Sequence, residues 1–511
     1  MGSGILTEVP MTSALTLAAV SNRTATLLCT PDGTRFTLAA PLAWQVFCGS
    51  DLIADGVTTV APVFLEGLTP ATGYVFRACG AELAFETAPC AGLVDVTAHG
   101  ASVEAADNSA AFARAIAAVP EGGTLMVPPG RYCIRPIHLK ARMTLYLPKG
   151  AELYADHDRQ NWPILPPHDD ASRVVGTWEG LPEAAFAAPV TAIDCDNLTI
   201  TGAGRIDAGG DRGDWWSWPK ETRDGARRPR ALFLAHGRNV QLSGFTLCNS
   251  PSWTLHPYRI DGLTCTGLNI ENPPDSPNTD GLNPESCTDV RLLGIRFSVG
   301  DDCIAVKAGK RGPGQVDHIL PTRGLMVHHC LMARGHGAVV LGSEMSGDIT
   351  DVDVAACEFV GTDRGLRIKT RRGRGGKVAH VRLSDVVMTG VGTPLAINAF
   401  YFCDPDGRSE AVQSRDPAPV DHTTPQVFDI SLTDVLATDV QIAGVALLGL
   451  PEAPITGVTI RNFRVSFDPN AQPAVPLMAA HLDAVRHIPL WTEFAQVDGT
   501  VDLLPSPQEA R

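Results

Sequence analysis

The sequence predicts an all-β protein, a long parallel β-helix preceded by a small β-sandwich, and three observations carry that expectation. Beyond residue 195 a pattern of apolar-x-apolar, two residues, apolar-x-apolar recurs. Its first members are Leu198, Val240, Leu263, Val290, Leu325, Val352, Val381, Ile430 and Val458. From Val240 to Val381 the spacings are 23, 27, 35, 27 and 29 residues, a period at which short units stack into a solenoid. Within each unit the apolar period is two and not 3.6, which argues against a helical solenoid. It points instead to coils whose strands pair with their counterparts one coil on, about 4.8 Å away. Finally, residues from about 12 to 88 alternate apolar and polar in short runs (Leu15-Thr-Leu, Thr26-Leu-Leu-Cys, Val57-Thr-Thr-Val, Tyr74-Val-Phe) between Gly, Pro, Asp and Asn turns, the texture of a sandwich.

In chain order, residues 1–11 read as a tail, 12–88 as the sandwich, 89–93 as a linker and 94–511 as the β-helix. Met1-Gly-Ser-Gly has no basic n-region, and Met11 is an alternative start. The apolar run Leu15–Val20 is too short for a signal peptide or for the roughly 20 residues of a membrane helix. Gly67-Leu-Thr-Pro-Ala-Thr-Gly-Tyr74 resembles the corner of a fibronectin type III domain, where a tyrosine packs as the chain enters a strand. Asp107-Asn-Ser-Ala opens a helix over 109–118, with Asn108 or Ser109 as its cap. That helix is expected to close the N-terminal end of the solenoid and cover an open sheet edge. Gly122-Gly-Thr-Leu-Met-Val-Pro-Pro-Gly130 reads as a strand and a tight turn, not a phosphate cradle, because no helix follows it.

Composition narrows the partners. The 511-residue chain carries a net charge of −15, which argues against nucleic acid, and no segment suits a membrane. Its 13 cysteines are odd in number and lack any C-x-x-C pair, which speaks against a zinc ribbon and a full disulfide framework. Cys248, Cys265, Cys330 and Cys357 fall inside apolar alternations, as small buried hydrophobes do. Reduced thiols and the absence of a clear leader point to the cytoplasm or periplasm, with secretion also compatible. Nothing in the sequence reads on oligomeric state.

The chemistry concentrates between residues 278 and 369, as N-T-D (Asn278-Thr279-Asp280), G-D-D (Gly300-Asp301-Asp302), G-H-G (Gly335-His336-Gly337) and R-I-K (Arg367-Ile368-Lys369). The repeat acts as a ruler. Counted from Phe297, Met332 and Phe359, the last apolar residues of successive coils, Asp301 and His336 each lie four positions on and are expected to be neighbours. Val306, Leu341 and Ile368 lie nine positions on and face the core together, so Arg367 and Lys369 point outward. If Leu282 faces inward as Ile304 does, Asp280 stands level with Asp302. Singly, a D-D pair is often a turn, a lone His a satisfied polar residue and R-x-K a solvated face. In register they become one site on four coils. A cationic strip from Arg364 to Lys377 follows, suited to a polyuronate, although its distal part also reads as a solvated loop.

These four motifs, with H-G-A at 99–101 and V-P-P-G-R-Y at 127–132, resemble the polygalacturonases of glycoside hydrolase family 28 from about Val94 onward. The resemblance implies a right-handed parallel β-helix and hydrolysis of α-1,4-galacturonosyl bonds with inversion, with no metal or organic cofactor. It implies Asp301 as general acid, Asp280 and Asp302 activating water, and His336 keeping the acid in its working protonation state. Arg367 and Lys369 would bind a galacturonate carboxylate, and Tyr401, Asn278, Lys307, Trp215 and Trp216 would contact the substrate, a pectic polysaccharide or oligogalacturonate. The W-W-x-W run at 215–218, residues 249–257 and residues 400–407 look like bacterial exo-polygalacturonases, which often carry a fibronectin-like domain. Insertions at 156–190 and 209–230 are placed to wall off one end of the groove, so an exo mode is expected. The alternatives are an endo-polygalacturonase, a rhamnogalacturonan hydrolase, a pectate lyase and a non-catalytic glycan-binding β-helix.

Overall fold

The computed structural model describes residues 14–31, 33–312, 314 and 316–505; the expected tail at 1–11 lies outside them. Seven antiparallel strands come first: β1 (Leu15–Val20), β2 (Ala25–Cys29), β3 (Thr37–Cys48), β4 (Asp51–Val60), β5 (Pro62–Leu65), β6 (Gly73–Ala78) and β7 (Ala81–Glu86). They form two sheets, β1-β2-β5 and β4-β3-β6-β7, closed on a core that includes Leu27, Val46, Tyr74 and Phe76. The Tyr74 hydroxyl accepts a hydrogen bond from the Thr69 backbone N–H at 2.9 Å. The phenol thereby fixes the corner leading into β6, as the sequence predicts.

From Leu93 onward the ladders of the coils are parallel. The first members of the repeat stack without a slip: Val240 opposite Leu263, then Val290, Leu325, Val352, Val381, Ile430 and Val458. A third strand of the coils, seen at Ile304–Val306, Val339–Leu341, Arg364–Lys369, Thr393–Asn398, Ala443–Leu448 and Ile488–Glu493, builds a separate parallel sheet. The inward residues of all these strands share one continuous core from Val96 to Val465. The architecture is a parallel β-helix.

Two columns of left-handed residues turn the chain at the corners. Asn197, Asn239, Gly262, Asp289, Gly324, Asp351, His380, Asp429 and Gly457, each just before a first member of the repeat, have φ between 52° and 76°. Gly244, Gly267, Gly294, His329, Ala356, Asp385 and Asp434 form the second column, between the paired strands. Ala356 aside, these are the residue types that enter this region at least cost.

Helix α1 (Ser109–Ala118) buries Ala111, Phe112, Ala115 and Ile116 in the end of that core. Asn108 stands at the N-cap position, as expected, but makes no side-chain cap bond. Asp107, not Asn108 or Ser109, accepts the Ser109 N–H at 2.9 Å. Asn108 is buried and committed elsewhere, taking the Ser102 N–H at 2.8 Å and donating to the Cys133 carbonyl at 3.1 Å.

The sandwich lies along the coils. Thr24 and Thr201 share a hydrogen bond of 2.7 Å, Thr266 donates to Thr26 at 2.9 Å and Asn22 donates to Thr124 at 2.9 Å. Farther along, Glu358 accepts the Phe36 and Thr37 backbone N–H groups at 3.0 and 2.7 Å. The Phe64 ring covers Gly244, where a Cβ would come within 2.3 Å of it. Of the insertions, 156–190 folds into two short ladders, Ile164–Leu165 with Ala185–Phe186 and Thr177–Trp178 with Leu181–Pro182. The segment 209–230 contributes a short helical turn, Trp215–Ser217. Among the described residues no helix is long and apolar enough to cross a membrane.

Candidate active site

Phe297, Met332 and Phe359 stack one per coil, and so do Val306, Leu341 and Ile368. Between these two columns every coil passes through a loop, and the reactive side chains gather there and on the outer face of the following strand. The His336 backbone N–H donates to the Asp301 carbonyl at 2.9 Å, which sets the two residues one coil apart. Their side chains meet as well, with His336 Nδ1 3.2 Å from Asp301 Oδ1. Leu282 bridges Ile304 and is buried in the core, so Asp280 stands level with Asp302. From the next coil but one, Lys369 Nζ reaches Asp302 Oδ2 at 2.8 Å and Arg367 Nη1 lies 3.5 Å from Oδ1.

Two motif glycines make this approach possible through size. A Cβ on Gly337 would lie 2.4 Å from Val340 Cγ2 and 3.1 Å from Asp302 Oδ1; one on Gly300 would lie 2.5 Å from the Ser276 carbonyl oxygen. Side chains there would push apart the coils that bring Asp302 to its cations.

The carboxyls differ in environment. Burial and then the neighbouring Asp301 charge raise Asp280 well above the usual carboxylate range, against the pull of Lys307. Asp280 Oδ2 accepts one hydrogen bond, from Asn283 Nδ2 at 2.8 Å. Burial would also raise Asp301, but the His336 hydrogen bond and charge, followed by Lys369 and Arg367, bring it down to about 2. Reciprocally, the hydrogen bond that His336 donates to Asp301 lifts the imidazole to about 9 despite partial burial. The Asp301–His336 pair therefore holds one proton across the neutral range, carried on the imidazole.

The remaining expected residues are distributed unevenly. Tyr401 is buried beside the cations, its ring centre 5.8 Å from the Arg367 guanidinium and 5.3 Å from Lys369 Nζ. Asn278 adopts a left-handed conformation and its side-chain oxygen accepts from Arg228 Nη2 at 2.6 Å. Lys307 lies beneath the site, bonded to Glu344 at 2.6 Å and 5.0 Å above the Trp253 ring centre.

Trp215 does not face a ligand. It is 1% exposed and packs on Trp162, Phe186 and Trp218, so its role is to build the insertions. Trp216, half-buried, donates its Nε1–H to the Ser250 carbonyl at 3.0 Å. Much of the cationic strip is also spent internally: Arg371 and Arg374 on Asp404, Arg372 on Glu452.

Several participants carried no sequence signal of their own. Asn283 lies three residues after Asp280, and Glu344 pairs across a coil step with Lys307. His256 and Glu285 form a fully buried pair at 2.9 Å. Only the coil register, extended to the polar residues that flank each inward one, could have found them. At one end of the site, the tip of the Thr177–Trp178/Leu181–Pro182 hairpin presses on the coils. The Lys310 N–H donates to the Gly180 carbonyl at 2.9 Å. A Cβ on Gly180 would lie 2.8 Å from Glu344 Cγ and 2.9 Å from Lys310 Cβ.

Known proteins resemble this chain along the same stretch. The sequence model of the family described as "Glycosyl hydrolases family 28" matches residues 178–474. A probable polygalacturonase of Vitis vinifera is 33% identical over 367 residues, 70% of this chain and 71% of that protein. An endo-polygalacturonase of Pectobacterium carotovorum subsp. carotovorum is 29% identical over 344 residues, 65% of this chain and 77% of that protein. Among solved structures, the family 28 exopolygalacturonase of Yersinia enterocolitica has a TM-score of 0.66 at 19% identity. That match covers 96% of this chain and 98% of that one, and it bears on the fold alone.

Proposed function

Because the chain belongs to the glycosyl hydrolases of family 28, we propose that it is a polygalacturonase that hydrolyses α-1,4-galacturonosyl bonds with inversion, working from a chain end. The observation that carries this reading is the convergence of Asp280, Asp301 and Asp302 with Arg367 and Lys369 on one outer face. Carboxylates supply acid and base, and the cations suit a substrate that is itself a carboxylate.

The Asp301–His336 pair is the acid: the proton stored on the His336 imidazole passes to Asp301, which delivers it to the departing glycosidic oxygen, and His336 is reprotonated from solvent. Asp280 and Asp302 orient and deprotonate the attacking water. Asp280 stands one coil back from Asp301 and is displaced along the strand. This suits the roughly 6.5–9.5 Å between carboxyls that leaves room for water in an inverting enzyme. The base must be ionised, so activity rises as pH climbs through the raised Asp280 value. The acid must keep its proton, so activity falls as the Asp301–His336 pair loses it near pH 9. Both limbs belong to coupled groups.

End-directed cutting is supported by the hairpin tip seated on Lys310 and Glu344, which walls the groove on that side. Digestion of oligogalacturonates of defined length is the test. Release of short products from one end, with slow loss of viscosity on polygalacturonate, is expected. A sharp viscosity drop before many reducing ends form indicates endo action, and chelator-sensitive release of unsaturated products indicates a lyase.

A further inference from the structure

Several ion pairs join the two insertions, Arg159 with Asp214 and Asp224 and Arg227 with Glu183 among them, and the one at the hairpin tip is looser than these. Lys220 Nζ, from the segment 209–230, lies 3.5 Å from Glu179 Oε1, at the tip of the hairpin from the segment 156–190. The lysine side chain is 56% exposed and the glutamate 27%, so the pair is long, wet and readily exchanged. The backbone beneath it is firmly held. The Lys220 carbonyl accepts from Arg227 Nη1 at 2.5 Å and the Pro219 carbonyl from Arg228 Nη2 at 2.7 Å.

Arg228 is fully buried and also donates to the Pro277 carbonyl at 3.0 Å and to Asn278 Oδ1 at 2.6 Å. One guanidinium thus separates the Lys220 backbone from the segment that carries Asp280. On the other side, Gly180, next to Glu179, rests on Glu344 and Lys310. Lys220 is within electrostatic reach of Glu344 and of Cys403, which neighbours Tyr401 and Arg367. The other lysines at this end are already satisfied at short range, Lys307 by Glu344 at 2.6 Å and Lys310 by Asp404 at 2.7 Å. Lys220 is a positioned cation with an exchangeable carboxylate.

We propose that Lys220 is a specificity-determining residue that binds the carboxylate of the terminal, non-reducing galacturonate unit, and that Glu179 holds this place until substrate displaces it. This rests on the end-acting reading of the site. A polyuronate that tried to extend past the terminal unit would bring its next carboxylate against Glu179, so the same pair that reads the end also opposes a longer chain.

The test compares wild type, Lys220→Met and Glu179→Gln on trigalacturonate and on trigalacturonate methyl-esterified at its non-reducing carboxylate. Lys220→Met is expected to lower kcat/KM on the free acid roughly ten- to hundredfold, mainly through KM, as loss of a charge-assisted hydrogen bond does. Esterification should cost wild type a similar factor and cost Lys220→Met little more, because both changes remove the same contact. Glu179→Gln should tighten KM for the free acid. Equal esterification penalties in wild type and Lys220→Met, with products still released from one end, overturn the proposal and leave the end-acting reading standing. Internal cutting by wild type overturns both. Melting of Lys220→Met at the wild-type temperature shows that the variant is folded.

Discussion

His336 stands with 53% of its side chain in solvent, yet its imidazole is raised to about 9 by its hydrogen bond to Asp301 and by the Asp301, Asp302 and Asp363 charges, against partial burial. If His336 is replaced by Ala, Asp301 keeps Lys369 and Arg367 nearby and loses the only group that stores its proton. The alkaline limb of kcat/KM should then fall by roughly one pH unit or more. A pH profile on trigalacturonate checks this, and an unmoved alkaline limb sinks the reservoir role. The adjacency of Asp301 and His336 was legible in the sequence because both follow a core residue by the same count. Asn283 and Glu344 were not, since a polar residue in an irregular segment looks the same whether it faces water or a buried partner.

At the scale of elements, the coil register was legible to the residue because a period of two fixes which side chains face the core and a one-residue slip would expose them. The left-handed corner residues were in plain view too, as Asn, Asp, Gly or His just ahead of each repeat, but only stacked φ values reveal that they form columns. The insertions were harder to read. An irregular segment has no period, and tryptophan serves a sugar face and a packed core equally well. In Trp215 the core wins. Trp215→Ala should cost about 3–5 kcal/mol in chemical denaturation, as emptying a buried aromatic site does. A residue acting only as a sugar platform would instead raise KM at unchanged stability. Because this cluster supports both insertions, the variant should also release products less strictly from one end, which chromatography of the digest would show.

Across the whole molecule, the two-part architecture could be read from composition and alternation, but the way the parts are joined could not. Thr24, Thr26, Thr201 and Thr266 are ordinary residues of each partner until the fold sets them face to face. Glu358 is one of the distal anchors, accepting three hydrogen bonds from Phe36 and Thr37, and Arg35 reaches Asp385 one coil beyond. Glu358→Ala should lower unfolding free energy by about 1–3 kcal/mol through donors left without a partner, and leave kcat/KM unchanged because no catalytic group is touched. A fall in activity at full stability would contradict that separation. A bare solenoid behaves as a one-dimensional array in which each coil feels only its neighbours and the ends fray first. Here the sandwich bonds directly to coils as far apart as those of Thr124 and Glu358. It acts as a splint: coils that never meet share a common support, so the intervening rungs, including those that carry the carboxylates, should exchange their amide hydrogens as one cooperative block.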